Sequence, residues 1–175
     1  PEHKKYPYLL RDLVIGHPDQ VWAADITYIR MRHGFIYLVA VMDWFSRYVI
    51  AWEISITLEA AFCVQALEKA LRTSQAEIFN IDQGAQFSST DFLGMLEERR
   101  IRISMDGRGR VYDNIFIERL WRTLKYEEVY LHDYRNVSEA RLRIASFFQF
   151  YNTERPHEGL GYRTPYEVYS GQLFN

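Results

Sequence analysis

Phe35-Ile36-Tyr37-Leu38-Val39-Ala40-Val41-Met42 is an eight-residue stretch without a charge, bounded by His33-Gly34 before it and by Asp43 after it. Successive strand residues point to opposite faces, so a run that is apolar at both parities needs cover on both sides. It reads as a central, doubly covered strand. Working outward, Val21 to Met31 is β-branched and aromatic and reads as a strand before it, with a turn at His33-Gly34. Asp43 to Arg47 turns the chain again, and Tyr48 to Ile54 makes a third strand. Connections this short imply an antiparallel meander.

The later segments alternate in kind. Leu58 to Thr73 carries a helical apolar stripe, and Glu77 to Asp82 returns as a strand. Ser88 or Ser89 caps a helix over Asp91 to Arg99, and Ile101 to Ser104 is a short alternating strand. Met105 to Tyr112, with Gly107 and Gly109, is a polar loop expected to be mobile. Asp113 to Lys125 is then an amphipathic helix. At 100° per residue, Ile117, Leu120, Trp121 and Leu124 share its core face. The rest is α-helical: Ala140, Ile144, Phe147, Phe148 and Tyr151 recur at helical spacing, and Thr164-Pro165-Tyr166-Glu167 is a capping box with proline at N1. Residues 1–20, broken by Pro7, Gly16 and Pro18, read as a linker, and 21–172 as one folded body with a C-terminal helical extension.

Composition narrows the classes. A chain of 175 residues with 48% hydrophobic and 16% aromatic residues is long enough and apolar enough for one sizeable core. No apolar run is long enough to span a membrane, and Pro1 to Lys5 does not resemble a signal peptide. A start without Met is expected of an excised fragment. The single cysteine, Cys63, excludes an internal disulfide and a multi-cysteine zinc site, and its helical setting reads as core. A net charge of −2 argues mildly against a generic DNA binder. Between Arg99 and Lys125, however, eight cations stand against three acids, a local balance of +5.

Three acids stand out from this background. Asp25 interrupts a strand, where aspartate is depleted and costly to bury unless paired or bound to a metal. Asp82 ends an apolar run before Gln83-Gly84, and Glu118 lies in the Asp113 helix with 35 residues between them. Singly, Asp82 is also what a turn needs, and Glu118 with Arg122 is an ordinary solvated i, i+4 pair. Asp43 rivals Asp25 but sits where its run breaks, beside Ser46, and reads as turn chemistry. Three convergent carboxylates suit divalent cations in phosphoryl transfer, and without metal at least one of their pKa values should rise. Arg122 and Lys125 follow Glu118 along one stripe.

Ala24-Asp25-Ile26-Thr27-Tyr28, Asp82-Gln83-Gly84-Ala85-Gln86-Phe87 and Asp113-Asn114 through Glu118-Arg119-Leu120-Trp121 resemble the catalytic core of the insertion-sequence-three, OrfB-type DDE transposases of the retroviral integrase superfamily. The similarity extends to Asp43 through Arg47, Ser104 through Gly109, Tyr151-Asn152, Arg155-Pro156-His157 and Thr164-Pro165, which is nearly the whole chain. Ile81, where the family more often has Thr or Ser, and Val111-Tyr112 before Asp113 are mild departures.

The resemblance implies an α/β, ribonuclease H-like fold. Its mixed five-stranded sheet comprises the meander plus two further strands, the fourth beside the first, flanked by helices. It implies that Asp25, Asp82 and Glu118 hold two Mg²⁺ ions, with Mn²⁺ as a substitute, and carry DNA cleavage and strand transfer in a bacterial transposition. Arg122 and Lys125 would hold terminal phosphates, Arg108 and Arg110 would guide DNA, and Gln83 and Asn114 would support the acids or touch DNA. The implied partners are transposon ends, target DNA and further copies of the chain assembled on DNA, in the bacterial cytoplasm at the nucleoid, with no membrane and no small-molecule substrate. An amino-terminal DNA-reading region joined through residues 1–20 is expected. A nuclease of ribonuclease H-like fold that only hydrolyses, or an inactive DNA-binding remnant of a transposon, are the competing readings.

Overall fold

The computed structural model describes residues 5–107 and 114–172. The meander runs β1 (Val21–Arg30), β2 (Phe35–Asp43) and β3 (Val49–Ser55). Then come α1 (Ala60–Thr73), β4 (Ile78–Ile81), α2 (Thr90–Glu98), β5 (Arg102–Met105) and α3 (Ile115–Glu127). A 3₁₀ turn at Val129–Leu131 leads to α4 (Val137–Thr153), another at Glu158–Leu160 to α5 (Pro165–Ser170). The sheet order is β3-β2-β1-β4-β5. β1, β2 and β3 pair antiparallel, while β4 joins β1, and β5 joins β4, in parallel. This is the mixed five-stranded sheet flanked by helices that the resemblance implies.

Alternation divides the core. On β2, Val39 and Val41 face α1 and α2 with Trp22, Phe62, Leu67, Phe79 and Phe92. Ile36, Leu38, Ala40 and Met42 face α3 and α4 with Ile117, Leu120, Leu124, Ile144 and Phe148. β2 is thus covered on both faces as its sequence requires, but β1 is the middle strand of the sheet. No local pattern in β2 reports how many strands follow on the far side of β1.

Helix ends follow their chemistry. Ser89 caps α2 by accepting from the Phe92 N–H at 3.2 Å, and Thr164 and Glu167 form the capping box of α5. β5 differs from its expected alternation, because Ile103, Ser104 and Met105 are all buried. The covering comes from the residues read as a linker. Residues 5–20 hold no helix or strand, yet the Leu9 N–H donates to Ser104 Oγ at 2.9 Å and the Met105 N–H to the Pro7 carbonyl at 3.2 Å. Tyr8, Leu9, Leu13 and Ile15 pack around Val21, Trp44 and Ile78, so the segment shields the β5 edge.

Candidate active site

Strand register brings the first two acids together. β1 and β4 are parallel with Ala23 opposite Asn80, so Asp25 lies two residues along β1 from that pair and Asp82 follows directly on the end of β4. By alternation Asp25 belongs to the face that α3 covers, and Asp82 lies near enough for its charge to act on it. Glu118 enters in the first turn of α3, whose Ile117, Leu120, Trp121 and Leu124 are buried against the sheet. The indole N–H of Trp121 donates to Asp25 Oδ2 at 3.1 Å, which ties α3 to the middle strand at the site itself.

The electrostatics record the convergence. Burial is the first cause that pushes the Asp25 carboxyl up to about 6; Trp121 and the Ile26 backbone pull it down, and the charges of Asp82 and Glu118 push it up again. Asp82 is also raised, by burial, against a backbone hydrogen bond from Gly84. That Gly84 N–H lies 2.6 Å from Asp82 Oδ1. A Cβ built on Gly84 would stand 2.7 Å from the same oxygen, so the carboxylate and the glycine backbone fit only without a side chain between them. Among the described residues no Lys, Arg or His pairs with any of the three acids. Nor is any group of three acids, histidines or cysteines there drawn close enough to hold a metal ion as it stands. The three acids are within electrostatic reach of one another without forming a closed cage.

The supporting residues take distinct places. Gln83 Nε2 donates to the Asp106 carbonyl at 3.1 Å, and Asn80 Nδ2 to Asp106 Oδ1 at 3.0 Å. Asp106 thus anchors the chain leaving β5 to the chain leaving β4. Asn114 precedes α3 at the N-cap position without a side-chain capping bond. Lys125 Nζ lies 5.4 Å from the ring centroid of Tyr28, three residues beyond Asp25 on β1. Arg122 is exposed and lines a cleft with Arg47, Arg119 and Arg155. Arg108, Arg110 and Asp113 lie outside the described residues. Asp43 is buried at 0% exposure, its Oδ2 accepting from the Ser46 N–H and Oγ and its Oδ1 from the Asp19 N–H. It is a turn residue.

Sequence reasoning placed Trp121 in the core and missed its bond to Asp25. The available signal was the indole N–H, which needs a partner when buried. It also missed Arg119 and Asp106, which no spacing argument singles out.

An integrase core domain profile matches residues 16–111, and a second integrase core domain profile matches residues 99–165. The chain is 31% identical over 160 residues to the transposase for insertion sequence element IS629 of Shigella sonnei, covering 90% of this chain and 54% of that protein. It is 32% identical over 161 residues to the transposase InsF for insertion sequence IS3A of Escherichia coli, covering 90% and 56%. The chain therefore spans about half the length of these curated relatives. Its fold is similar to the HTLV-2 integrase catalytic core domain in complex with magnesium, with a TM-score of 0.71 at 19% identity over 87% of this chain and 97% of that one. It is also similar to a chain of a simian T-cell lymphotropic virus intasome, with a TM-score of 0.77 at 17% identity over 100% of this chain and 62% of that one.

Proposed function

The chain belongs to the integrase core domain family, and from that premise we propose that it is the catalytic domain of a DDE transposase of the insertion-sequence-three type. It would cleave DNA and join the freed strand to new DNA. The observation that carries this reading is the set of acids without a cation. Asp25 is raised to about 6 beside Asp82 and Glu118, and no basic side chain among the described residues offsets them.

The donor set fits a hard divalent cation. It consists of carboxylate oxygens without thiolate or imidazole, which suits Mg²⁺, with Mn²⁺ as a substitute. Asp25, Asp82 and Glu118 would hold two such ions. When bound, these would stabilise charge on the attacking and leaving oxygens of a phosphodiester. The chain's own residues arrange the ligands: Trp121 orients Asp25, and the Gly84 N–H orients Asp82. In the first reaction a water oxygen bonds to phosphorus and a DNA 3′-oxygen leaves with a proton. That 3′-hydroxyl then attacks a second phosphodiester and expels an equivalent 3′-oxygen. One P–O bond forms for each that breaks, so no covalent enzyme intermediate is needed.

Arg122 and Lys125, with Arg108 and Arg110, would neutralise the DNA around the scissile bond, while Gln83 and Asn114, which flank Asp82 and Glu118 in sequence, would support the acids or touch DNA. DNA ends, target DNA and further copies of the chain are the partners this chemistry needs, and its setting would be the bacterial cytoplasm. Base-specific reading would come from a region joined through residues 1–20. No described helix is long and apolar enough to cross a membrane.

The test is an oligonucleotide assay with Mg²⁺ and a 3′-hydroxyl DNA end. Joined product is expected, and Asp82→Asn or Glu118→Gln should each abolish it while the fold remains. Hydrolysis without joining would make the chain a nuclease, and product retained within tenfold would remove that acid from the site.

A further inference from the structure

On the other flank of α3 lies a cleft of about 310 Å³ lined by Arg47, Arg119, Arg122, Arg155, His157 and Glu158 among others. We propose that it is a phosphate subsite that holds a backbone phosphate of the DNA away from the acids. The proposal rests on the transposase reading for its ligand, and on the following observations for its existence.

Helical geometry separates the two sites. Measured around α3 from Glu118, Lys125 lies about 20° to one side, while Arg119, Thr123 and Phe116 lie about 100–160° to the other. Arg122, at about 40°, stands between. The acids and the cleft therefore occupy opposite flanks of a ridge whose crest is Arg122. A helix with its side chains is about 10 Å across. A DNA strand advancing 3.4 Å per nucleotide crosses that in about three nucleotides. One strand can reach both places.

The cleft carries more positive charge than the described residues compensate. Four guanidinium groups line it with one carboxylate, Glu158. Arg155 is held by Glu127 through bonds of 2.9–3.1 Å, which fixes its position. Arg47 is held as firmly, its Cζ 3.5 Å from the Phe116 ring centroid and its Nη1 3.1 Å from the Phe45 carbonyl. Burial first lowers the Arg47 pKa, and the Arg119 charge lowers it further against the opposing influence of Tyr151 and Asp43, so the two cations are within electrostatic reach of each other. His157 Nε2 is buried against the same cleft without a hydrogen-bond partner. A buried polar nitrogen without a partner is costly, and with the proton on Nε2 of the neutral ring a phosphate oxygen held by the guanidiniums would satisfy it. Two fixed arginines, two exposed ones and an unpartnered ring nitrogen around one concavity are what an anion with three or four acceptor oxygens requires.

Arg119 is exposed, so Arg119→Ala removes a cation from the cleft without replacing any of the three acids. Duplex DNA is titrated against wild type and Arg119→Ala over a salt series in EDTA, which keeps the result independent of metal. Loss of one phosphate contact predicts a salt slope lower by about one unit and binding weaker by roughly fivefold near 0.15 M salt. A neutral methylphosphonate placed at single positions should weaken wild type, but not the variant, at one phosphate about three nucleotides from the cleavage point.

A parallel titration with inorganic phosphate follows the His157 ring by NMR. Shifts that are absent in Arg119→Ala and reversed by DNA support the subsite. Shifts from phosphate with unchanged DNA binding would make it a free-phosphate site, and no response to either would make the cleft a solvated arginine cluster; both results overturn the proposal. A chain that binds DNA through Arg119 yet never joins strands would sink the transposase reading alone. One that joins strands with unaltered Arg119→Ala binding would sink the subsite alone.

Discussion

Asp25 on β1 and Glu53 on β3 are acids in one sheet, and they are in opposite electrostatic condition. Glu53 is 8% exposed and accepts from Lys69 Nζ at 2.6 Å and from Arg141 Nη1 at 3.0 Å. Burial acts to raise its pKa, but the two cations and the Ile54 N–H outweigh it, and the carboxyl lies below its ordinary value. Asp25 has an indole and a backbone N–H but no cation, with two further acids nearby, and rises to about 6. The sheet thus gives Glu53 two cations and gives Asp25 none. Burial alone does not mark a site. Nor does burial without a cation, since Asp43 is buried and raised and is satisfied by the Ser46 and Asp19 N–H groups; Asp25 differs in having two further acids beside it.

Removing each acid should therefore have opposite consequences. The largest expected effect is on activity: Asp25→Asn should lower Mg²⁺-dependent cleavage at least 1,000-fold, worth about 4 kcal/mol at 1.36 kcal/mol per tenfold, in a gel assay of labelled DNA. Glu53→Gln should leave the cleavage chemistry intact and cost about 1–3 kcal/mol in urea denaturation. That figure is below the full cost of breaking a buried pair, because Lys69 and Arg141 are half exposed and can be solvated. If Glu53→Gln proved as stable as wild type, the contrast with Asp25 would fail on its structural side.

The same contrast sets a pH dependence. The folded value of Asp25, about 6, exceeds the ordinary carboxylate value, so between about pH 4 and 6 the folded chain keeps a proton that the unfolded chain has released. Its contribution to stability is full below that window and is lost as pH rises through it. Metal-free wild type should accordingly lose up to roughly 2–3 kcal/mol relative to Asp25→Asn between pH 4 and 7.5. Denaturation in EDTA at the two pH values measures this, and Mg²⁺ should restore wild type only at the upper one. Equal pH profiles for the two proteins would show that Asp25 is not strained. The smallest effect is expected at Lys125. With Nζ 5.4 Å from the Tyr28 ring centroid, it is held near β1 by a weak contact and remains available to a phosphate. Lys125→Ala should reduce the salt slope of DNA binding by about one unit, and an unchanged slope would make it a packing residue over Tyr28.

Much of this was legible before any coordinates. The double-sided burial of β2, the core face of α3, the capping box of α5 and the turn role of Asp43 all follow from patterns a few residues long. So did the suspicion attached to Asp25, because an acid in a β-branched run conflicts with its surroundings. Each rests on local chemistry: a period of two, a period of 3.6, a side chain that caps its own backbone.

What the tertiary structure alone decided depends on residues far apart in sequence. The bond from Trp121 to Asp25 spans 96 positions, and the burial of β5 depends on a segment 95 positions earlier. β4 lies beside β1, so Asp82, just past the end of β4, comes within electrostatic reach of Asp25, although nothing inside either strand encodes its neighbour. The arginine cleft joins the turn after β2, the outer flank of α3 and the loop after α4. Its members look like separate solvated cations along the chain, because like charges acquire a shared meaning only when packing closes the distance between them. The sequence by itself determined which residues are apolar, where the backbone turns and which acids are anomalous. Chain crossover and sheet register decided which of those acids and cations meet, since burial energy is collected by whole faces rather than by single motifs.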